Sequence, residues 1–283
     1  MSNLRIGLPS KGRLSELASE LLKEAGIKFR RQNRSLFAKV SDLPIEIIFL
    51  RTDDIPVLCA EGAIDMGITG SDLVAEAQAD VETRLSLGVG KCRLAVCVPD
   101  TMEINDPSEL NGLRIATSFT NVTKDYLRQH NADAHVVPLT GSVEIMITLG
   151  IADAIVDLVE TGSTLAANRL KISHEIGNYE TILVQNKQKQ HSELADRIVR
   201  RLEGVVIARK YSLLEYNIPR DRLADAEEIT PGFKSPTITS LEDRNWCAVR
   251  VMVKTKQVTS VMDQLEELGA SAILETPINN CRL

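Results

Sequence analysis

Apolar residues follow two rhythms along this chain. Residues 4–9, LRIGLP, make a short extended apolar run, interrupted by SKGR. Leu14, Leu17, Ala18, Leu21, Leu22 and Ala25 then recur at helical spacing, which predicts an amphipathic helix stopped by Gly26. Residues 113–130 repeat the plan: LRIATSF as strand, Thr120-Asn121 as polar turn, VTKDYLRQH as helix. A second echo links 62–73, GAIDMGITGSDL, with 150–165, GIADAIVDLVETGSTL. Each holds a helix ending at Gly (Gly62, Gly150), then an Asp (Asp65, Asp153), then an apolar strand running into Thr-Gly-Ser and a new helix. Strands alternating with helices predict parallel α/β sheets. Two similarly built lobes around a cleft are the expected architecture, with ligands beyond the carboxyl ends of the strands and both Thr-Gly-Ser turns facing them.

The pattern changes towards the end. ETILVQN reads as a strand and HSELADRIVRRLEGVVIARK as a charged helix, followed by a polar link through Pro219, Pro231-Gly232 and Pro236. NWCAVRVMV, QVTSVMDQLEELG and ASAILETPI then read strand, helix, strand, which predicts a small α+β module of the ferredoxin-like kind. That module carries no cluster of catalytic residue types, so it points to regulation or assembly.

Composition narrows the function. A formal charge of -6 on 283 residues argues against a nucleic-acid or membrane-surface binder, which needs a basic surface. The start, MSNLRIGLPSKGRL, lacks the apolar core of a secretion signal, and no stretch approaches the roughly 20 apolar residues of a membrane span. A cytoplasmic protein is expected. Cys59, Cys92, Cys97, Cys247 and Cys281 are an odd, scattered set, consistent with reduced thiols. His130, His135, His174 and His191 show no metal-ligand spacing. GVGK at 88–91 lacks the spacing of a phosphate-binding P-loop, and Arg30-Arg31 and Arg200-Arg201 read as exposed faces.

The candidate chemistry lies in residues 153–165, DAIVDLVETGSTL. Two readings compete for Thr161, Gly162, Ser163 and Thr164. In one, Thr161 or Ser163 caps a helix. In the other, backbone N–H groups and hydroxyls surround a phosphate, Gly162 permits close approach, and the following helix start adds its dipole. Asp157 in an apolar strand is expensive to bury without partners, and the hydroxyls of a sugar are suitable ones.

The run from Glu144 to Leu165, EIMITLGIADAIVDLVETGSTL, resembles the characteristic motif of ATP phosphoribosyltransferases. KGRL (11–14), LRTDDIP (50–56), DMGITG (65–70) and LRIAT (113–117) resemble that family in the same order, and PGFKSPTI (231–238) and LGASAIL (268–274) resemble the regulatory domain of its long form. The resemblance covers essentially the whole chain. It implies a periplasmic-binding-protein-like catalytic core of two α/β lobes, residues 1–91 with 180–208 and residues 92–179, and a ferredoxin-like α+β regulatory domain at 212–283. The implied reaction joins the anomeric carbon of phosphoribosyl pyrophosphate (PRPP) to N1 of ATP and releases pyrophosphate, the first step of histidine biosynthesis.

By the same resemblance, Thr161–Thr164 hold the 5′-phosphate, and Asp157, or Asp153, takes the ribose hydroxyls. Glu144 orients Mg²⁺-bound water or the sugar, or is a solvated helix-face glutamate. Mg²⁺ is expected to enter through the substrates, not on a fixed protein site. Lys11, Arg13 and Arg51 face ATP or pyrophosphate, with Lys91 and Arg93 flanking a lobe crossover. Asp72 contacts the nucleotide or caps its own helix. Histidine is the expected inhibitor, near Asn217, Thr237 and Ala272, and the expected assembly is a homo-oligomer, dimer and hexamer. The alternatives are a two-lobed small-molecule sensor without catalysis and a phosphoribosyltransferase for another base.

Overall fold

The computed structural model describes residues 3–32, 35–189 and 192–282; His191 lies outside them. The first lobe runs β1 (Leu4–Pro9), α1 (Arg13–Glu24), β2 (Phe37–Lys39), β3 (Ile45–Leu50), α2 (Asp54–Ala60), β4 (Met66–Gly70), α3 (Ser71–Ala77) and β5 (Val81–Ser86). The chain then enters a second sheet through β6 (Cys92–Pro99), β7 (Arg114–Thr117), α4 (Thr120–Gln129), β8 (His135–Pro138), α5 (Ile145–Thr148), β9 (Ala154–Val159), α6 (Ser163–Ala167) and β10 (Leu170–Tyr179). It returns to the first sheet as β11 (Thr181–Asn186) and continues into α7 (Glu193–Ala208).

Both sheets are mixed. The first has the order β2-β3-β1-β4-β11-β5 and the second β10-β6-β9-β7-β8. Only β3, β1 and β4, and β9, β7 and β8, pair in parallel. The all-parallel expectation fails because the chain crosses between sheets twice, with antiparallel pairing by the strands flanking each crossing, and because β2 and β3 pair antiparallel within the first lobe. Alternation of helix and strand in sequence says nothing about strands that re-enter a sheet. The central strands are buried through both faces, as the uninterrupted apolar runs require: Ile6 and Leu8 on β1, and Ile155 and Val156 on β9, are fully buried.

The two crossings run side by side. Thr181 donates its N–H to the carbonyl of Val89 (3.0 Å), and Leu87 donates to the carbonyl of Thr181 (3.0 Å). Gly90 sits there at φ +62°, and a Cβ on it would meet Thr181 Oγ1 at 2.5 Å. The lobes also touch through α3 and α4. The Glu76 carboxylate accepts the N–H groups of Asn121 (3.0 Å) and Val122 (3.1 Å), so one lobe satisfies the helix start of the other.

By compactness the chain divides into Met1–Glu20 with Lys28–Ala195, and Leu21–Ile27 with Asp196–Leu283. The second unit therefore takes most of α7 and the end of α1, where Glu24 receives the guanidinium of Arg209 through two bonds of 2.9 Å. The segment read as a polar link is ordered structure: β12 (Tyr211–Pro219), α8 (Leu223–Ile229) and β13 (Thr237–Ser240). With β14 (Trp246–Lys254), α9 (Val258–Glu267) and β15 (Ser271–Pro277) it forms a four-stranded sheet of order β13-β14-β12-β15. All its pairings are antiparallel, giving the β-α-β-β-α-β plan of a ferredoxin-like module. Its core gathers Leu214, Tyr216, Val249, Val258 and Leu265, and the buried Tyr216 hydroxyl is satisfied by Thr230 Oγ1 at 2.7 Å.

Candidate active site

The two Thr-Gly-Ser turns have different fates. In the first, Thr69 is fully buried and its hydroxyl donates to the carbonyl of Thr52 (3.1 Å). Ser71 exchanges two bonds with the Glu180 backbone: Ser71 Oγ accepts the Glu180 N–H (3.0 Å) and the Ser71 N–H donates to the Glu180 carbonyl (2.9 Å). That turn is consumed in fastening the crossing strands and does not offer its groups to a ligand. In the second, Thr161, Ser163 and Thr164 are exposed. Gly162 holds φ +80°, with nothing within 4 Å of where a Cβ would stand. Thr161 Oγ1 lies 3.1 Å from Ser163 Oγ and accepts the Ser163 N–H through one long bond of 3.5 Å, while the N-cap position of α6 is Gly162, which has no side chain. Thr161 thus caps the helix start only through that long bond, and the three exposed hydroxyls stand open to a ligand.

Asp157 stands half-buried on β9, opposite Ala95 of β6. Its bond is local, from the N–H of Leu158 (2.8 Å). Burial pushes its carboxyl above the ordinary aspartate value, and the charge of Glu144, half-buried just before α5, pushes the same way against the opposing Leu158 N–H. A sugar hydroxyl or a cation would relieve both.

Asp153 has a partner within the fold. It precedes β9, at the opposite end of the strand from the turn, and so lies roughly 13 Å from Asp157 at about 3.3 Å per residue. Its carboxylate receives Arg114 through the backbone N–H (2.9 Å), Nε (3.0 Å) and Nη2 (2.7 Å), which holds its pKa down at about 2. The second echo of the sequence thus has a structural meaning. Asp65 likewise accepts the N–H of Arg5 (2.7 Å) across from β4 to β1, and also pairs with Lys189. Each Asp fastens the entry of one parallel strand to its neighbour. Neither reaches the turn.

The expected cations gather at the carboxyl edge of β1 and β3. Lys11 and Arg13 are exposed in the loop before and at the start of α1, and Arg51 is exposed after β3. The Ser10 N–H donates to the Leu50 carbonyl (2.7 Å), which keeps the two loops adjacent. Arg13 Nη1 reaches across the lobes to Glu160 Oε2 at 3.5 Å, with side chains 86% and 59% exposed. Glu160 immediately precedes the open turn, so the Arg13 loop and the turn face each other. Asp72 lies in the first turn of α3. It is 7% exposed, and burial raises its pKa against the opposing influence of its own N–H and that of Leu73. Its buried carboxylate stands at the helix start, the second of the two places the sequence offered for it.

Beside the turn, where the strands cross, lies a cavity of about 400 Å³ lined by Lys91, Arg93, Val159, Glu160, Asn178 and Tyr179. Sequence spacing suggested only Lys91 and Arg93. Glu160, Asn178 and Tyr179 are brought in by strand register, Asn178 opposite Arg93 and Arg93 opposite Val159. Among the described residues no group of three His, Cys, Asp or Glu stands close enough to hold a metal ion. Nor is any helix of those residues long and apolar enough to cross a membrane.

In the second unit, Asn217 on β12 pairs with Ser271 on β15, beside Ala272 at φ +48°. Thr237 is exposed on β13, opposite Arg250 of β14, which in turn pairs with Glu215 of β12. The three expected residues lie on one sheet, with Asn217 and the left-handed Ala272 in adjacent strands.

Fold and site define a two-lobed α/β protein whose open turn faces the exposed cations of the other lobe, in a chain that also carries a ferredoxin-like module. The sequence matches the family described as ATP phosphoribosyltransferase over residues 51–204 and that family's C-terminal domain over 208–280. An ATP phosphoribosyltransferase of Rhodopirellula baltica is 68% identical over 282 residues, covering 100% of this chain and 94% of the relative. Among solved structures, the ATP phosphoribosyl transferase (HisG:HisZ) complex from Thermotoga maritima matches at 30% identity and a TM-score of 0.62, over 71% of this chain and 98% of that one. A putative L-cystine ABC transporter from Listeria monocytogenes matches at 15% identity and a TM-score of 0.50, over 72% and 90% of the two chains. That likeness concerns the fold alone and agrees with the expected two-lobed core. The chain belongs to the ATP phosphoribosyltransferase family, in the long form with the C-terminal domain.

Proposed function

We propose that the cleft between the two lobes is where PRPP and ATP meet, with the 5′-phosphate in the Thr161–Thr164 turn and the ribose hydroxyls on Asp157. The chain is an enzyme that transfers the phosphoribosyl group of PRPP to N1 of ATP, the first step of histidine biosynthesis; its 68% identity to an ATP phosphoribosyltransferase over 282 residues favours this over a two-lobed sensor. The observation that carries the site assignment is the contrast between the two turns: one closed by internal bonds, the other open with a half-buried carboxylate behind it.

The chemistry asks mainly for placement. The N1–C1′ bond forms as the bond from C1′ to pyrophosphate breaks, and the exocyclic amine then loses a proton. Adenine N1 already carries a lone pair, so no strong base is needed to begin, and alignment and charge stabilisation do most of the work. Asp157 fixes the sugar and favours positive charge developing at C1′. Lys11, Arg13 and Arg51 take the polyphosphates, and Arg13 exchanges Glu160 for phosphate oxygen. Burial raises the Asp157 pKa and the charge of Glu144 adds to it, surroundings that would suit a Mg²⁺ ion keeping its waters and taking most ligands from substrate oxygens. When bound, Mg²⁺ neutralises charge on the departing pyrophosphate.

Residues 1–91 with 180–208 and 92–179 serve as the catalytic lobes, and 212–283 as a histidine-sensing domain, with Asn217 on the amino group and the backbone near Ala272 on the carboxylate. Thr237 completes that site. Histidine inhibits through a change of state in a homo-oligomer, dimer to hexamer. The protein works in the cytoplasm, in keeping with its five free cysteines.

Purified protein with PRPP, ATP, Mg²⁺ and pyrophosphatase tests this by mass spectrometry of the product. Phosphoribosyl-ATP is expected, lost when T161A is used and suppressed by added histidine in wild type but not in N217A. PRPP binding without product from ATP would point to another acceptor and overturn the reading.

A further inference from the structure

We propose that Asn178 reads the acceptor base: its side-chain amide pairs with the N6–H and N7 edge of the adenine and leaves N1 free for the sugar. This rests on the reaction and cleft assigned above and adds the residue that selects the nucleotide. Asn178 of β10 lies opposite Arg93 of β6, which lies opposite Val159 of β9. Directly opposed residues point to one face of a sheet, and so do alternate residues of a strand. Asn178, Arg93, Val159 and Asp157 therefore share a face, with the amide two strands from the carboxylate assigned to ribose. The cavity of about 400 Å³ bordered by Asn178, Arg93 and Val159 also has Glu160 in its lining, one residue before the open turn. A base held there lies against the sugar. The volume falls in the range of roughly 300–1,000 Å³ usual for small-molecule sites.

Charge type decides which lining group recognises adenine. The N6–H and N7 edge offers a donor beside an acceptor, and a carboxamide complements both at once. Lys91 and Arg93 only donate, and Arg93 is already engaged by Glu175. Glu160 and Glu180 only accept, Arg13 is on Glu160, and the Tyr179 hydroxyl donates and accepts through a single atom, so it does not match the two edge atoms side by side as an amide does. Asn178 is exposed, and no side-chain hydrogen bond to it is formed among the described residues. Pairing through N6–H and N1 instead would cover the nucleophile, so a reaction at N1 selects the N7 side. The second N6 proton stays free to leave after the bond has formed.

The test compares ATP with 7-deaza-ATP, which lacks the N7 acceptor, in initial-rate kinetics of the full chain with products identified by mass. Wild type is expected to show a KM about fivefold higher for 7-deaza-ATP, the loss of one hydrogen bond, with the KM for PRPP unchanged. N178A is expected to raise the KM for ATP about tenfold and to erase the difference between the two nucleotides. Equal KM values in wild type, discrimination surviving in N178A, or an effect of N178A on PRPP would each overturn the assignment while the function stood. Absence of phosphoribosyl-ATP from wild type would overturn the function itself. The wild-type comparison does not depend on the variant folding.

Discussion

Asp153 and Asp157 stand four residues apart in one apolar segment and meet opposite electrostatic surroundings. As letters they are interchangeable, which is why the sequence left open which of them meets the sugar. Register separates them, because Asp153 falls outside the paired strand beside Arg114 and Asp157 falls within it, opposite Ala95. The Arg114 guanidinium favours the charged form of Asp153 in the fold. Its stabilisation is therefore complete above the ordinary value of 3.8 and is lost as pH falls towards about 2. D153N is expected to cost about 1–2 kcal/mol at pH 7, the partial exposure of the pair keeping it at the lower end for charged hydrogen bonds. That difference from wild type should shrink as the pH of a urea titration is lowered from 7 to 2. Asp157 has the reverse sign. Its pKa is raised by burial, so its charged form opposes folding above 3.8, and D157N should be no less stable than wild type at pH 7. A midpoint that fell as far as that of D153N would mean Asp157 is tied up in bonds of its own.

Most elements were legible from periodicity. The helix over α1, the strands β1, β9 and β11, and the strand–helix–strand of β14, α9 and β15 all follow the apolar pattern. Two features were not. The strand β12 buries Ser212, Leu214, Tyr216 and Ile218 on one face, but a buried serine and the neighbouring prolines gave it the look of a linker. The parallel or antiparallel sense of β6, β10 and β11 depends on where the chain changes sheets, a matter of tertiary packing. The two Thr-Gly-Ser turns share letters as well and differ only in what surrounds them. S71A removes the acceptor for the Glu180 N–H and is expected to cost about 1 kcal/mol of stability. S163A should leave stability within about 0.5 kcal/mol and raise the KM for PRPP several-fold, since an exposed hydroxyl contributes little to the fold. Denaturation curves and PRPP kinetics on both variants check the pair. Equal effects would erase the distinction between a structural turn and a ligand turn.

At the scale of the molecule, the two crossings and the cross-lobe contacts determine whether residues of both lobes act on one substrate pair. Gly90 occupies a left-handed conformation 2.5 Å, by its missing Cβ, from Thr181 Oγ1. G90A should lower stability by about 2 kcal/mol or more through strain and overlap, read as a shifted urea midpoint; an unshifted midpoint would mean that the crossing yields freely. Arg13 on one lobe and Glu160 on the other bring the polyphosphate cations to the edge of the open turn. None of this was visible as spacing, since the partners are 147 positions apart. Initial-rate kinetics of D157N beside D153N tests the assignment of this cleft most directly. D157N should lose kcat/KM for PRPP by about 100-fold or more with its fold intact, as expected for a group stabilising the transition state, while D153N keeps kcat within about threefold despite its lower stability. A D157N enzyme that retains its rate, or a D153N enzyme that loses it while still folded, would show that the sugar is held elsewhere.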